Sequence, residues 1–288
     1  MLRLLRSEVY RLRRRWMPWV LVLLIVIAGA GFYFLVYASA QAQLQAMESG
    51  AIPPQPGAEE AMAELLRQLR PDKVPGFGVE IVGGLGNVML VVFAASHVGT
   101  EFVWGTLRTL LAHGAGRAIF LGAKLLSIAL FAVLFMFLGV VAAIAGSYLV
   151  TAIAAGDASG LDLGAIANAA ARQYYTFLPY MALAALIALW SRSAGAGIAV
   201  GLVVLFAEGL VAQLLVSLNR DYANIVNYGL SRNATAITRT ATSTTAPGDP
   251  SAIALPDPGQ AALVLAIYTA VLVAVAFWRL RTRDITLG

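Results

Sequence analysis

The sequence contains no cysteine and few charged residues. Without cysteine, the chain can form neither disulfide bonds nor a thiolate metal site or nucleophile. Charged residues make up 12% of the chain and hydrophobic residues 60%, whereas soluble domains carry roughly 25% charged residues. This composition excludes an ordinary soluble domain and is typical of a membrane protein.

Six apolar segments reach the roughly 20 residues that a helix needs to cross a bilayer. Lipid offers no partners for backbone groups, so we expect these segments to be helices. The sequence therefore predicts an all-α fold, a single polytopic transmembrane domain over residues 1–288 with outer loops at 38–76 and 217–260. Ala38-Ser39-Ala40 resembles a signal-peptidase site, but the preceding apolar run is long for a signal peptide, so we expect it to be retained as the first span. The six predicted spans are 17–37, 77–98, 119–150, 174–191, 194–216 and 261–278.

The distribution of basic residues predicts the orientation, because cytoplasmic loops are enriched in Lys and Arg. Most of the 20 basic residues fall on one side of the six spans when the N-terminus is placed inside. The five Trp residues lie at the same ends of the spans, where Trp favours the headgroup level. We therefore expect a multi-pass protein of the cell (inner or plasma) membrane with both termini in the cytoplasm.

The first 16 residues form an amphipathic pattern. Apolar side chains recur at spacings of three and four residues while arginines fall between them, which predicts an interfacial helix on the inner membrane surface. A purely topogenic basic tail remains the alternative. The apolar stripe consists of Leu2, Leu5, Val9, Leu12 and Trp16.

Residues that could catalyse a reaction are scarce. A Walker loop needs Gly-Lys-Ser/Thr to cradle phosphates, but the two lysines, Lys73 and Lys124, lie in other contexts. The two histidines, His97 and His113, have no second ligand at metal-binding spacing. We expect no catalytic residue, metal site or cofactor in this chain, no ATP hydrolysis by the chain alone and no nucleic-acid partner.

The segment 99–118, between the second and third spans, has an amphipathic pattern. Thr100 can cap a helix beginning at Glu101, and its apolar face can rest on the membrane boundary. Such a helix would offer Glu101, Trp104 and Arg108 to a partner, although an ordinary charged loop remains the alternative. The apolar residues of this face are Val103, Leu107, Leu110 and Leu111.

This segment is similar to the type 2 ATP-binding-cassette (ABC) exporter permeases, through Glu101, Gly105-Thr106-Leu107-Arg108, Leu110-Leu111, Arg117 and Lys124. The stretch from Leu5-Arg6-Ser7-Glu8 through Arg11 to Arg15 is also similar to the family's interfacial entry helix. Many members have Pro and Ser where this chain has Gly114-Ala115-Gly116, which leaves the loop geometry open. The resemblance implies that 99–118 contains a cytoplasmic coupling helix. It also implies two cytoplasmic ATPase subunits, which carry ATP and Mg, and a second permease copy or homologue. The ATPase-coupling residues would be Glu101, Trp104, Gly105, Thr106, Arg108, Arg117 and Lys124.

Two acidic residues fall within the spans, where a carboxylate is costly unless it is paired or hydrated. Glu80 can reach the headgroups. Glu208, near Gln213, could face a translocation path or a dimer contact, or make a structural hydrogen bond. Gly197 and Gly201 are spaced for close helix packing.

The leading hypothesis is the permease subunit of an ATP-driven exporter for an unidentified substrate, for which an amphipathic or lipid-like compound is one candidate. The alternatives are an ion- or proton-coupled secondary transporter that uses Glu208 and a non-transport anchoring or assembly subunit.

Overall fold

A computed structural model describes residues 2–51, 53, 57–103, 116–154, 156–219, 222–239 and 255–282. In this part of the chain the regular structure is helical, without a β-strand. Six helices are long and apolar enough to cross a membrane, which confirms the predicted fold class. The chain is a multi-pass membrane protein.

The helices of the described residues are α1 (Leu2–Arg14), α2 (Trp16–Glu48), α3 (Ala58–Gln68), α4 (Val79–Val103), α5 (Arg117–Ile153), α6 (Leu163–Ser191), α7 (Ala194–Leu218), α8 (Ala223–Val226), α9 (Leu230–Thr238) and α10 (Pro258–Thr282). The candidate spanning helices are α2, α4, α5, α6, α7 and α10. A 3-10 turn (Pro71–Lys73) and a π turn (Val74–Gly78) lead into α4.

Several helices extend beyond the predicted apolar spans. α2 continues to Glu48 and α6 begins at Leu163, because the added stretches are rich in Ala and Gln, which favour helix. α4 continues to Val103. Thr100 therefore lies inside α4, where its Oγ1 donates to the carbonyl of Ser96 at 2.8 Å, and it does not cap a new helix.

The chain forms two compact units. The first consists of Met1–Trp19, Asn87–Val133 and Arg172–Gly288. Its helices approach closely along small residues: a Cβ added to Gly197 would lie 2.8 Å from the carbonyl oxygen of Ala184 and 2.9 Å from the Cβ of Ala95. A Cβ on Gly201 would likewise crowd Val91, so the predicted packing role of these two glycines is confirmed.

The second unit consists of Val20–Gly86 and Leu134–Ala171. In this unit a Cβ on Gly146 would lie 2.8 Å from the Cα of Ala30, so α2 and α5 are in near-backbone contact. An ion pair of 2.9 Å joins Arg70 to Asp157 in the loop after α5. Hydrogen bonds from Ser159, with the nearby Arg70 charge, hold the pKa of Asp157 below its ordinary value.

Candidate functional site

A buried group of charged side chains lies in the first unit, where α1, α4 and α5 meet. We call it the charge cluster, and it consists of Glu8, Arg11, Arg15, His97, Glu101 and Lys124. Glu8, Glu101 and Lys124 are 3%, 1% and 1% exposed. Charged side chains are almost never buried to this extent unless they are paired.

Helical geometry brings the α1 members of the cluster together. Glu8 and Leu12 are four residues apart and share one side of the helix, and Arg15 directly follows its last residue, Arg14. Glu8 and Leu12 are buried and Arg15 is partly buried. α1 therefore turns a partly charged side toward α4 and α5. α4 contributes His97 and Glu101 to the cluster, and α5 contributes Lys124.

Lys124 is the centre of the cluster. Its Nζ donates to Oε1 of Glu101 at 2.6 Å and to Oε2 of Glu8 at 2.9 Å. Two carboxylates thus share one ammonium group, which prevents like-charge repulsion between them. The ring of Phe120 lies 5.7 Å from the same nitrogen.

Two arginines, Arg11 of α1 and Arg15 directly after it, add positive charge at the edge of the cluster. Arg11 lies 3.6 Å from Glu8 and 3.7 Å from Glu101, and Arg15 lies 3.7 Å from Glu101. Arg15 also donates to Oγ1 of Thr100 at 3.2 Å. The last turns of α1 and α4 are therefore joined by several polar contacts.

His97 completes the buried side of the cluster. The hydroxyl of Ser127 donates to the carbonyl of Lys124 at 2.7 Å, so its oxygen accepts the 3.0 Å bond from Nε2 of His97. The proton of the ring is thereby assigned to Nε2. The same nitrogen lies 3.4 Å from Glu8, and the ring of Phe93 stacks on the imidazole.

The partners of Glu8 keep it ionised. Burial raises the pKa of its carboxyl group, but the hydrogen bond with His97 and the charge of Lys124 outweigh this and lower the pKa to about 2. Glu8 is therefore a carboxylate at neutral pH and remains a counterion for Lys124.

The cluster can act as an electrostatic clamp. It joins α1 to the end of α4 and the first turns of α5, which are the two helices that flank residues 104–115. Removing one member of a buried ion pair leaves its partner unpaired in a poorly solvated place, at a cost of about 3–5 kcal/mol. The three helix ends therefore hold one another in place.

The structure brings together two of the seven predicted coupling residues, Glu101 and Lys124. Arg117, at the start of α5, donates instead to the carbonyls of Leu280 and Arg281 at 3.5 and 3.1 Å, and thus caps the end of α10. The other four coupling residues, Trp104, Gly105, Thr106 and Arg108, lie outside the described residues, as does His113.

Glu208 is used within the fold. Its Oε1 accepts a hydrogen bond from the backbone nitrogen of Ser231 at 3.0 Å, in the first turn of α9, where backbone donors have no partner within the helix. The N-cap residue, Gly229, provides no side chain for this purpose. Glu208 therefore caps α9 from α7, while Gln213 and Glu80 are exposed.

Glu8, Arg11 and Arg15 were not among the site residues predicted from the sequence. Glu8 and Lys124 are 116 positions apart, so their pairing depends on tertiary structure. One signal was present: Glu8 is the only acidic residue before Glu48 and lies four residues before the apolar Leu12. An acid on the apolar side of a basic helix indicates a buried cationic partner.

Comparison with known families assigns the chain to one of them. A family model described as "Protein of unknown function (DUF2705)" matches residues 79–286, more than half of the 288 residues. The chain belongs to this family. The DUF2705 match contains Glu101 and Lys124 and excludes α1, so Glu8 comes from outside the matched region. No curated protein matches the chain.

Proposed function

We propose that the chain is the transmembrane permease subunit of an ATP-driven ABC exporter, coupled to a separate cytoplasmic ATPase. The charge cluster is the observation that carries this proposal. Glu101 and Lys124 flank residues 104–115 and share an ion pair, and Glu8 adds α1 to the same contact. A segment that transmits force from a partner needs both of its ends held in this way.

In the proposed mechanism, ATP-driven closure of two ATPase subunits displaces residues 104–115. Because the helices on both sides are linked through Lys124, the displacement moves α1, α4 and α5 together. The substrate remains unidentified, and an amphipathic or lipid-like compound suits spans with few buried charges. The chain makes or breaks no bond, and ATP and Mg belong to the ATPase.

The proposed exporter contains two permease subunits, with both termini of each in the cytoplasm of a cell (inner or plasma) membrane. α7 offers a surface for this dimer, where Val203, Phe206 and Leu210 are all exposed and lie on one side of the helix at spacings of three and four residues. A second copy or a homologue would cover this apolar side, and lipid would cover the rest.

Transport coupled to protons or ions has less support. Its candidate residue, Glu208, already caps α9 with Oε1, although its Oε2 is buried without a hydrogen-bond partner among the described residues. Such a transporter would depend on an ion gradient and would need no ATPase.

Co-purification from native membranes in a gentle detergent tests the proposal. We expect a soluble ATPase in equal stoichiometry, and ATP-dependent efflux after reconstitution of the complex. Arg108→Ala should lower the permease-dependent stimulation of ATPase activity, whereas Arg67→Ala, on an exposed side chain of α3, should not. Flux that follows a proton gradient without an ATPase would support the secondary transporter, and the absence of flux would support an anchoring subunit.

A further inference from the structure

A second side of α1 carries an apolar pattern. Each helical residue advances about 100° around the axis, so Val9 lies about 100° around α1 from Glu8, and Trp16 follows α1 as the first residue of α2. Both are exposed, Trp16 at 86%. Exposed apolar side chains next to the first span indicate contact with the bilayer boundary.

Two tryptophans fix the level of this side relative to the membrane. Trp16 and Trp19 lie in the first turn of α2, a candidate span, and both are exposed. Trp favours the headgroup level of a bilayer. The indole Nε1 of Trp19 donates to the carbonyl of Arg13 at 3.0 Å, so the end of α1 is held at that level.

Arg6 and Arg13 border the apolar side. They are seven residues apart, which places them roughly 10 Å apart along the axis and within about 20° around it. Both side chains are exposed, and neither forms an ion pair in the described part of the chain. The one acidic residue of α1, Glu8, is buried in the cluster, so no carboxylate on α1 neutralises this positive charge.

We propose that Arg6 and Arg13 form a binding site for the phosphate groups of anionic phospholipids. Val9 and Trp16 would lie beside this site, at the boundary between the headgroups and the acyl chains. Guanidinium groups suit phosphate because they present several donors in a planar fork. The charge cluster fixes the rotation of α1, so the two arginines remain directed toward the headgroups. The site requires neither an ATPase nor transport.

The test uses the full-length protein in detergent micelles and measures binding of phosphatidylglycerol by native mass spectrometry, with phosphatidylcholine as the uncharged reference. Arg6→Gln with Arg13→Gln should weaken phosphatidylglycerol binding roughly 30-fold, because each arginine near an anionic surface raises the affinity roughly fivefold. Arg6→Lys with Arg13→Lys should retain most of the affinity. Circular dichroism checks that the variants remain helical.

Arg14→Gln is the matched control, because it removes the same charge from the same helix. Arg14 lies on another side of α1, where its guanidinium carbon is 5.3 Å from the centre of the Tyr10 ring. We expect this variant to bind phosphatidylglycerol like the wild type. Equal loss in Arg14→Gln, equal binding of phosphatidylcholine, or complete competition by millimolar inorganic phosphate would each overturn the lipid site.

Discussion

Replacing Lys124 with Met should destabilise the protein more than any change at an exposed charge. Methionine keeps an unbranched stem but removes the ammonium group that Glu8 and Glu101 share. The two carboxylates would then face each other while almost fully buried. Arg11 and Arg15 remain near them, but at 3.6–3.7 Å, compared with 2.6 and 2.9 Å for the lysine.

The size of the effect follows from these distances. Two oxygens that both contact one nitrogen are less than about 6 Å apart, and at an effective dielectric constant of 20 their repulsion is about 3 kcal/mol. This agrees with the cost of about 3–5 kcal/mol for removing one partner of a buried ion pair. For a chain of this size we expect the unfolding temperature to fall by about 5–8 °C.

Thermal unfolding of the full chain in detergent at pH 7, followed by tryptophan fluorescence, measures the effect. Lys73→Met is the matched control, because Lys73 is the only other lysine and its side chain is 47% exposed. Glu8→Gln combined with Lys124→Met should recover part of the loss, since it removes one of the two opposed charges. If Lys124→Met unfolds at the same temperature as Lys73→Met, the cluster is not the clamp described above.

Three further predictions concern other positions. Because the pKa of Glu8 is lowered from about 4.5 to about 2, its contribution to stability is complete above pH 4.5 and is lost as the pH falls toward 2. Unfolding temperatures measured from pH 7 to 3 should therefore fall less steeply in Glu8→Gln. Glu208→Ala should cost α9 about 1 kcal/mol by removing its cap and should speed amide exchange at Ser231, whereas unchanged exchange would argue against capping. Gly197→Ala should lower stability by about 1–3 kcal/mol through overpacking, while Gly209→Ala in the same helix, where a Cβ meets no atom within 4 Å, should not, as thermal unfolding would show.

The spans were predictable from sequence because their information is local. Twenty apolar residues in a row already require a helix in lipid, and the Gly197/Gly201 spacing already favours close packing. Helix ends were less predictable, since polar residues of high helix propensity extended α2 to Glu48. The prediction that Thr100 caps a helix was wrong for a related reason, because its hydroxyl can bond the preceding turn as readily as it can cap a helix.

The pairing within the charge cluster could not be predicted, because it joins distant parts of the chain. Lys124 was a predicted coupling residue only through the family resemblance, although a lysine near the start of an apolar span also requires a counterion. Its sequence neighbours do not show which of the carboxylates, Glu8, Glu80, Glu101 or Glu208, would reach it. Only the packing of α1 against α4 and α5 decides this.

Burial of Lys124 also leaves Lys73 as the one lysine that should react with amine reagents in the folded protein. Of its two lysines, one is sequestered with its ammonium group between carboxylates and one, Lys73, is open to water. An amine-directed dye should therefore attach at Lys73 in the folded chain and gain Lys124 only after unfolding. Lys73 then serves as the reference lysine, and the ratio of modification at Lys124 to modification at Lys73 measures the fraction of molecules in which Lys124 has become exposed.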